Sequence, residues 1–220
     1  MAVLTKKSVN EINKMYQIIL GSIALSIIHS LIPSHWLPFI TIGKSQGWNR
    51  TQTLKTTFFA GISHTLSTTI FGLMVSFAGF QLSDNQQIIT EKVVPLFLLM
   101  LGLWFIMQHF RRQAHSHIDE RLVKGKSYQK LLLSLMLMMF LSPCFEINAY
   151  FLSAGAMGWQ AVVTIILIYN ILTIIGMLLM VNVGLKGIKH FNFHWLEHNE
   201  QLITGITLIG LSILNFFITV

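Results

Sequence analysis

Cysteine, acidic residues and charge of any kind are scarce in this chain. It has one cysteine, Cys144, and 8 Asp and Glu side chains among 220 residues. A single cysteine excludes a disulfide or a dithiol relay within the chain. Charged residues make up 10% of the sequence, whereas soluble domains carry about 25%. Hydrophobic residues make up 53% and the mean hydropathy is +0.64, which is typical of a polytopic membrane protein.

The few charges that are present are mostly positive and lie between apolar runs. The chain has 15 Lys and Arg side chains, which give it a formal net charge of +7. In a soluble protein this excess would suggest nucleic-acid binding, but the sequence carries no motif of that kind, and we expect no nucleic-acid partner. The positive-inside rule explains the basic loops better, so the expected partner is the lipid bilayer.

Six apolar runs are long enough for helices that cross a bilayer, which need about 20 residues each. They cover approximately residues 16–42, 56–80, 93–110, 131–157, 160–185 and 201–219. The first run is too long for the apolar core of a signal peptide and lacks an A-x-A cleavage site, so we expect it to remain as the first span. We divide the chain into an N-terminal segment 1–15, a first three-helix unit 16–110, a histidine-containing linker 111–130 and a second three-helix unit 131–220.

The two three-helix units share features at matching offsets. Pro33 in the first span corresponds to Pro143 in the fourth, and the Thr-x-x-Gly motif that begins at Thr69 recurs at Thr173. Proline removes a backbone donor and disfavours helix before it, so we expect the first and fourth helices to be broken. An odd number of spans inverts one unit relative to the other, as in many transporters. The predicted fold is an all-α polytopic membrane protein with six transmembrane helices in two inverted three-helix repeats.

Two histidines and two prolines lie inside the first apolar run. Pro33 and Pro38 should unwind the helix between Leu31 and Pro38, and this unwinding would turn His29 and His35 toward one point. At membrane depth, non-helical backbone is tolerated only where protein or a water-filled cavity surrounds it. This stretch therefore predicts the floor of a polar site near the middle of the membrane.

Other polar side chains are expected at a similar depth. The candidate metal-ligating residues are His29, His35, His64, Cys144, Glu146 and Asn170. Imidazole and thiolate suit Ni, Co, Zn and Cu, and a carboxylate balances the charge of the ion. Taken singly, Asn170 is more often an interhelical contact than a ligand, and Cys144 is as often a small hydrophobic residue. As a set, the histidines and Glu146 are costly at this depth without a function.

Two further histidine groups lie in the loops. His115 and His117 belong to the linker, and His190, His194 and His198 recur every four residues before the last span. Residues four apart share one side of a helix, which is a spacing that suits the capture of a metal ion. The second group also has aromatic neighbours and could equally lie at the lipid headgroups. Both interpretations stay open.

Three stretches resemble the nickel/cobalt transporter family and its superfamily. They are His29-x5-His35, Ser63-His64-Thr65 and Ser142-Pro143-Cys144. The first resembles the H-x4-D-H signature of that family's first helix, with Ser34 in place of the aspartate. The second resembles a G-H-S-T type motif of its second helix. The third resembles proline motifs in the wider superfamily of amino-acid exporters, reductant conductors and metal permeases. The resemblance implies metal transport with His29, His35 and His64 as ligands, and Glu146 or Cys144 in place of the missing aspartate charge.

These features lead to three functional hypotheses. The first is a transporter of the inner (plasma) membrane whose substrate is a divalent transition metal ion, Ni²⁺, Co²⁺ or Zn²⁺, bound at the midplane by histidines. The second is an intramembrane zinc-dependent hydrolase, in which the histidines hold Zn²⁺ and Glu146 acts as the general base. The third is an accessory membrane subunit whose polar residues only join helices. The direction of transport, its energy source and the formation of a homo-oligomer stay open.

The loop charges predict that both termini lie outside the cell, because the three basic loops belong in the cytoplasm. The test introduces Ser83→Cys or Gln129→Cys into a chain in which Cys144 is replaced by alanine. A membrane-impermeant maleimide applied to intact cells should label the Ser83→Cys chain and spare the Gln129→Cys chain. Lysis before labelling is the control that exposes both positions. Labelling of the Gln129→Cys chain alone would overturn the orientation.

Overall fold

The chain folds almost entirely into helix. The computed structural model describes residues 6–111, 127–187, 195 and 198–218, and no strand occurs in these ranges. In chain order the α-helices are α1 (Lys6–Ser30), α2 (Pro33–Ser45), α3 (Arg50–Gln81), α4 (Gln86–Ile88), α5 (Val94–Arg111), α6 (Tyr128–Phe140), α7 (Asn148–Met157), α8 (Trp159–Leu185) and α9 (Glu200–Ile218). A 3-10 turn (Ser83–Asn85) and a π-helical turn (Ile89–Val93) flank the short α4.

Five helical segments of the described chain are long and apolar enough to cross a membrane. They are Ile12–Ser45, Arg50–Gln81, Ser83–Arg111, Trp159–Leu185 and Glu200–Phe217. The predicted all-helical membrane fold is confirmed to this extent. The fourth expected span, 131–157, is divided between α6 with 13 residues and α7 with 10 residues. Neither helix alone reaches the roughly 20 residues that a membrane crossing requires.

The chain leaves helix once between α1 and α2. Ile32 is extended, with φ −65° and ψ 124°, and Pro33 is the first residue of α2. Proline is well tolerated at a first helical position, because its missing N–H would have no partner there. The indole Nε1 of Trp36 donates a hydrogen bond of 3.1 Å to the carbonyl of Leu31, which the break leaves without a helical partner.

The break is shorter than we expected from the two prolines. Unwinding was predicted to reach Pro38, but Pro38 lies inside α2, which continues to Ser45. The physical reason is that an internal proline removes one hydrogen bond, here the bond to the carbonyl of Ser34, whereas the helix continues on both sides. The break therefore ends at Pro33, and Pro38 does not extend it.

A second break separates α6 from α7 and contains Pro143. The chain leaves α6 after Phe140, and side chains of α3 and α7 form hydrogen bonds with main-chain groups of the break. The N–H of Cys144 donates to Oγ1 of Thr68 at 3.1 Å, and Nδ2 of Asn148 donates to the carbonyl of Cys144 at 3.2 Å. These bonds replace helical hydrogen bonds that the break removes. Such replacement is needed because backbone groups within a bilayer must find their hydrogen bonds inside the protein.

Helix α3 occupies the centre of the packing. It begins at a capping box, in which the Asn49 side chain accepts from the N–H of Gln52 and the Gln52 side chain accepts from the N–H of Asn49. It packs against α6, α7 and α8, while α5 packs mainly against α9 and α1 against α8. One glycine, Gly158 with φ +112°, forms the whole connection between α7 and α8.

Helix α8 carries two stripes with a strict period of four. The exposed stripe is Val163, Leu167, Ile171, Ile175 and Leu179. The buried stripe is Ala161, Ile165, Tyr169, Thr173, Met177 and Val181. A Cβ at Gly176 would meet the Ser30 hydroxyl of α1, and a Cβ at Gly184 would meet Ile40 of α2. The covered side of α8 therefore contacts α1 and α2 at different positions along the axis of α8.

The α3–α7 crossing is close enough to depend on glycine. A Cβ at Gly155 would collide with the main chain at Ser76, and a Cβ at Gly79 would collide with the carbonyl of Leu152. Neither neighbour can rotate away, because both are backbone. This crossing holds α7, and with it the second break, against α3.

We expect Gly155→Ala to destabilise the protein by about 1–3 kcal/mol, because the added methyl must displace main-chain atoms. The matched control is Gly210→Ala in α9, where the added Cβ has no atom within 4 Å. Alanine is a better helix former than glycine, so this control substitution should leave the protein's stability unchanged or raise it by up to about 1 kcal/mol. The measurement is the midpoint of unfolding of the purified protein in detergent. Equal effects of the two substitutions would contradict the close crossing.

Candidate metal centre

Four metal-ligating side chains of the described chain come together at the two breaks. Their ligand atoms, from His29, His35, His64 and Cys144, all lie within 4.8 Å of one another. The Cys144 Sγ lies 3.0 Å from Nε2 of His29, 3.2 Å from Nε2 of His64 and 3.6 Å from Nε2 of His35. The thiol is therefore the shared neighbour of three imidazoles.

The first break brings His29 and His35 together. In a continuous helix, residues six apart point about 120° away from each other. Here His29 lies in the last turn of α1 and His35 in the first turn of α2. The change of direction between the two helices places their ring centroids 4.2 Å apart. The sequence-based expectation that a break would turn both rings toward one point agrees with this geometry.

The other two ligand atoms come from α3 and from the second break. His64 lies in the middle of α3, and its ring centroid is 5.8 Å from that of His29 and 4.9 Å from that of His35. Its Nδ1 lies 3.4 Å from the carbonyl oxygen of Met139. In the tautomer that donates Nδ1–H to this carbonyl, Nε2 keeps its lone pair on the side of Cys144.

Thr68 links these two elements directly. Its hydroxyl donates to the carbonyl of His64 at 3.1 Å and accepts from the N–H of Cys144 at 3.1 Å. Thr68 is fully buried. We did not predict this role from the sequence, although Thr68 lies one helical turn after His64 and so faces the same side of α3.

The cluster is buried, with one open side. His29, His64 and Cys144 have exposed fractions of 4%, 0% and 8%, whereas His35 is half-buried. Ser34 is exposed, and its Oγ lies 3.4 Å from Nδ1 of His35. His35 is therefore the member of the cluster that lies nearest to the surface.

Glu146 and Asn170, the other two candidates, lie outside this group of four. Asn170 donates to Oγ1 of Thr69 at 3.0 Å and to the carbonyl of Ile166, so its amide joins α8 to α3. Glu146 is buried close to Cys144, and its Oε2 has no hydrogen-bond partner among the described residues. A buried oxygen in this condition suits a role near a cation.

Tyr169 is a neighbour of the cluster that sequence reasoning missed. It is buried on α8, and its ring centroid lies 6.2 Å from that of His29. Its signal in the sequence is weak, because a tyrosine within an apolar run usually marks the membrane interface. The sequence predicted the adjacent Asn170 as a candidate ligand instead.

The loop histidines are a different case. His115, His117, His190 and His194 lie outside the described residues, and the described His198 is exposed. The capture of metal by these loops stays a prediction.

The arrangement can bind one metal ion. Two to four imidazole and thiolate ligands are the usual protein ligands of zinc and its neighbours in the first transition row. In comparisons with protein families, with curated proteins and with solved structures, nothing matches this chain. The geometry of the site is therefore the basis on which a function can be assigned to this chain.

We expect Thr68→Val to weaken metal binding about 10- to 100-fold, because Cys144 loses the hydroxyl that holds its main chain. The variant should also lose about 1–3 kcal/mol of stability, since the N–H of Cys144 is left buried without a partner. Thr57→Val is the control, because the Thr57 hydroxyl is equally buried but bonds only to Thr53 of its own helix. Calorimetric titration with Zn²⁺ measures the affinities. Equal affinities of the two variants would contradict the role of Thr68.

Proposed function

We propose that the protein is a membrane transporter for a divalent transition metal ion, and that His29, His35, His64 and Cys144 bind this ion as it crosses. The observation that carries the proposal is the group of four ligand atoms within 4.8 Å of one another in a chain with five membrane-spanning segments. Buried ionisable groups are expensive in a membrane and usually mark a functional site. The three histidines are also the residues through which the sequence resembles the nickel/cobalt transporters.

The two helix breaks support transport. The first lies between His29 and His35, and the second contains Cys144. In the proposed inverted repeat the two breaks would correspond, because each lies within the first expected span of its unit, 16–110 or 131–220. Secondary transporters bind their substrates at discontinuous helices where two inverted repeats meet, near the midplane. Movement of one unit against the other would then expose the ion to each side of the membrane in turn.

An open apolar cleft lies beside the second break. Its volume is about 560 Å³, and it is lined by Ser142, Pro143 and Phe145 of the break and by Ser67 and Phe71 of α3, among others. In the proposed transporter, a movement of the break that separates the Cys144 sulfur from the three imidazoles would remove one of the four ligands and release the ion.

Glu146 fits the role of counter-charge. One thiolate leaves a divalent ion with a net positive charge, which is costly in surroundings of low dielectric constant. Glu146 is buried close to Cys144, and its Oε2 has no hydrogen-bond partner among the described residues. In the proposed transporter it balances the charge without itself binding the ion.

The same geometry disfavours the hydrolase hypothesis. A catalytic zinc ion is held by three protein ligands and keeps its fourth position for water. Here a fourth ligand atom, the Cys144 sulfur, lies within 4.8 Å of the imidazole nitrogens, so an ion bound by all four would carry no water for Glu146 to deprotonate. The accessory-subunit hypothesis predicts no metal binding at all, and the transport experiment separates it from our proposal.

The loop charges complete the proposal. We propose that the transporter lies in the inner (plasma) membrane and that α6 and α7 together form a sixth crossing. The basic loops then predict both termini outside and the loop histidines on the cytoplasmic side. Its partners are then the lipid bilayer and the ion itself.

The decisive experiment is metal flux into proteoliposomes that contain a trapped metal-sensitive dye. We expect wild-type protein to move Zn²⁺ or Co²⁺, and His64→Ala and Cys144→Ala to reduce the flux to that of protein-free liposomes, because each removes one ligand. His109→Gln, at the end of α5 and outside the group of four, is the control and should keep the wild-type rate.

Wild-type flux in both ligand variants would contradict the proposal. Absence of flux from wild-type protein that is folded and inserted would do the same.

A further inference from the structure

We infer that the end of the protein at which α1 begins is a gate, held closed by the ion pair of Lys14 with Glu91 and the hydrogen bond of Thr90 with Ser153. These four residues are the polar closure, and none of them belongs to the metal centre. The inference rests on the proposed function, because the gate acts on the ion that the metal centre would carry. It goes further because it assigns a role to residues far from that centre.

The ion pair of the polar closure is buried. Nζ of Lys14 lies 3.4 Å from Oε1 of Glu91, and the two side chains have exposed fractions of 6% and 22%. Taking two charges out of water is costly, so a buried ion pair is weak evidence for a contribution to stability. Charged residues within membrane-spanning segments usually serve a function instead.

The hydrogen bond of the polar closure joins the same segment to the second three-helix unit. Oγ1 of Thr90 lies 2.9 Å from Oγ of Ser153 on α7, and both residues are buried. Thr90 and Glu91 are neighbours in the π-helical turn Ile89–Val93. Turns of this kind are rare and occur frequently at functional sites. One short turn therefore contacts α1 through Glu91 and α7 through Thr90.

The polar closure lies at the far end of the helix that carries the first ligand. Lys14 and His29 both belong to α1, and their positions in the chain separate them by about 22 Å along its axis. Between them, Gln17, Ser22 and Ser26 are buried against the protein. A metal ion is too costly to move through hydrocarbon, so an ion that leaves toward this end must follow polar side chains inside the protein.

This route is closed in the structure. A Cβ at Gly21 would meet the ring of Tyr150, so α1 and α7 are in contact there and leave no room for an ion. The hydroxyl of Tyr150 accepts a hydrogen bond of 3.3 Å from Nδ2 of Asn215 in α9. Nearer the end of the helix, the ammonium group of Lys14 would repel a divalent cation. Passage therefore requires α7 to separate from the π-helical turn, which breaks the hydrogen bond of the polar closure.

The first test locks the gate with a disulfide. The hydroxyl oxygens of Thr90 and Ser153 are 2.9 Å apart, which brings the Cβ atoms near the separation of about 3.5–4.5 Å that a disulfide requires. We expect the oxidised Thr90→Cys/Ser153→Cys variant to bind Zn²⁺ as the wild-type protein does but to lose metal flux into proteoliposomes. Reduction should restore the flux, so the reduced sample is the matched control. Wild-type protein given the same oxidant controls for damage to Cys144.

Four results of this test would overturn the inference. The first is undiminished flux after mass spectrometry shows complete disulfide formation. The second is failure of the disulfide to form, and the third is absence of flux from the reduced variant when the wild-type protein transports. The fourth is loss of Zn²⁺ binding on oxidation, because the polar closure would then act on the metal centre itself.

The second test breaks the ion pair and needs no transport. Ser22→Cys in the Cys144→Ala chain places one thiol on the route, and a hydrophilic maleimide measures access to it in detergent. We expect Glu91→Gln to speed labelling about tenfold or more, because Lys14 is left buried without a compensating charge. The control is Asp84→Asn, which removes an exposed acidic group from the neighbouring 3-10 turn. Equal labelling rates in the two variants would overturn the inference.

Together the two tests separate the gate from the proposed function. Faster labelling of the Glu91→Gln variant, with no flux from wild-type protein, would uphold the closure of this end and overturn transport. Flux that the disulfide leaves unchanged would uphold transport and overturn the gate.

Discussion

Main-chain groups that leave a helix inside a membrane must find their hydrogen bonds within the protein, and the site depends on this constraint. Trp36 supplies the bond at the first break, and Thr68 and Asn148 supply bonds at the second. Because these bonds fix the breaks, they also fix the ligands beside them. The backbone requirement and the placement of the thiol among three imidazoles are therefore met by one set of contacts.

The sequence predicts the part of the site that lies next to a proline in the chain. Proline acts on its immediate neighbours, so Pro33 located the first break and indicated that His29 and His35 would face each other. His64 followed because the connection from α2 to α3 is short. The inclusion of Cys144 could not be decided, since the course of the chain through the second break depends on Thr68, which belongs to another helix.

The direction in which a side chain leaves an apolar helix is harder to predict. A soluble helix shows its buried face through a hydrophobic stripe, but α8 is apolar on every side, because one side faces lipid and the other faces protein. Asn170 therefore looked equivalent to Tyr169. The structure turns Asn170 toward Thr69 and Tyr169 toward His29. For 131–157 the sequence predicted a broken helix near Pro143, but not how short α6 and α7 are on either side of it.

The period of four along α8 has a mechanical consequence. Four residues turn a helix about 40° beyond one full turn, so the covered stripe rotates by about 160° between Ala161 and Met177. The line of contact follows a helical path around α8. It contacts Ser30 of α1 near Gly176 and Ile40 of α2 near Gly184. A helix gripped in this way cannot spin in place without advancing along its own axis. A rotation of α8 in place would therefore disturb its contacts with α1 and α2 at the same time.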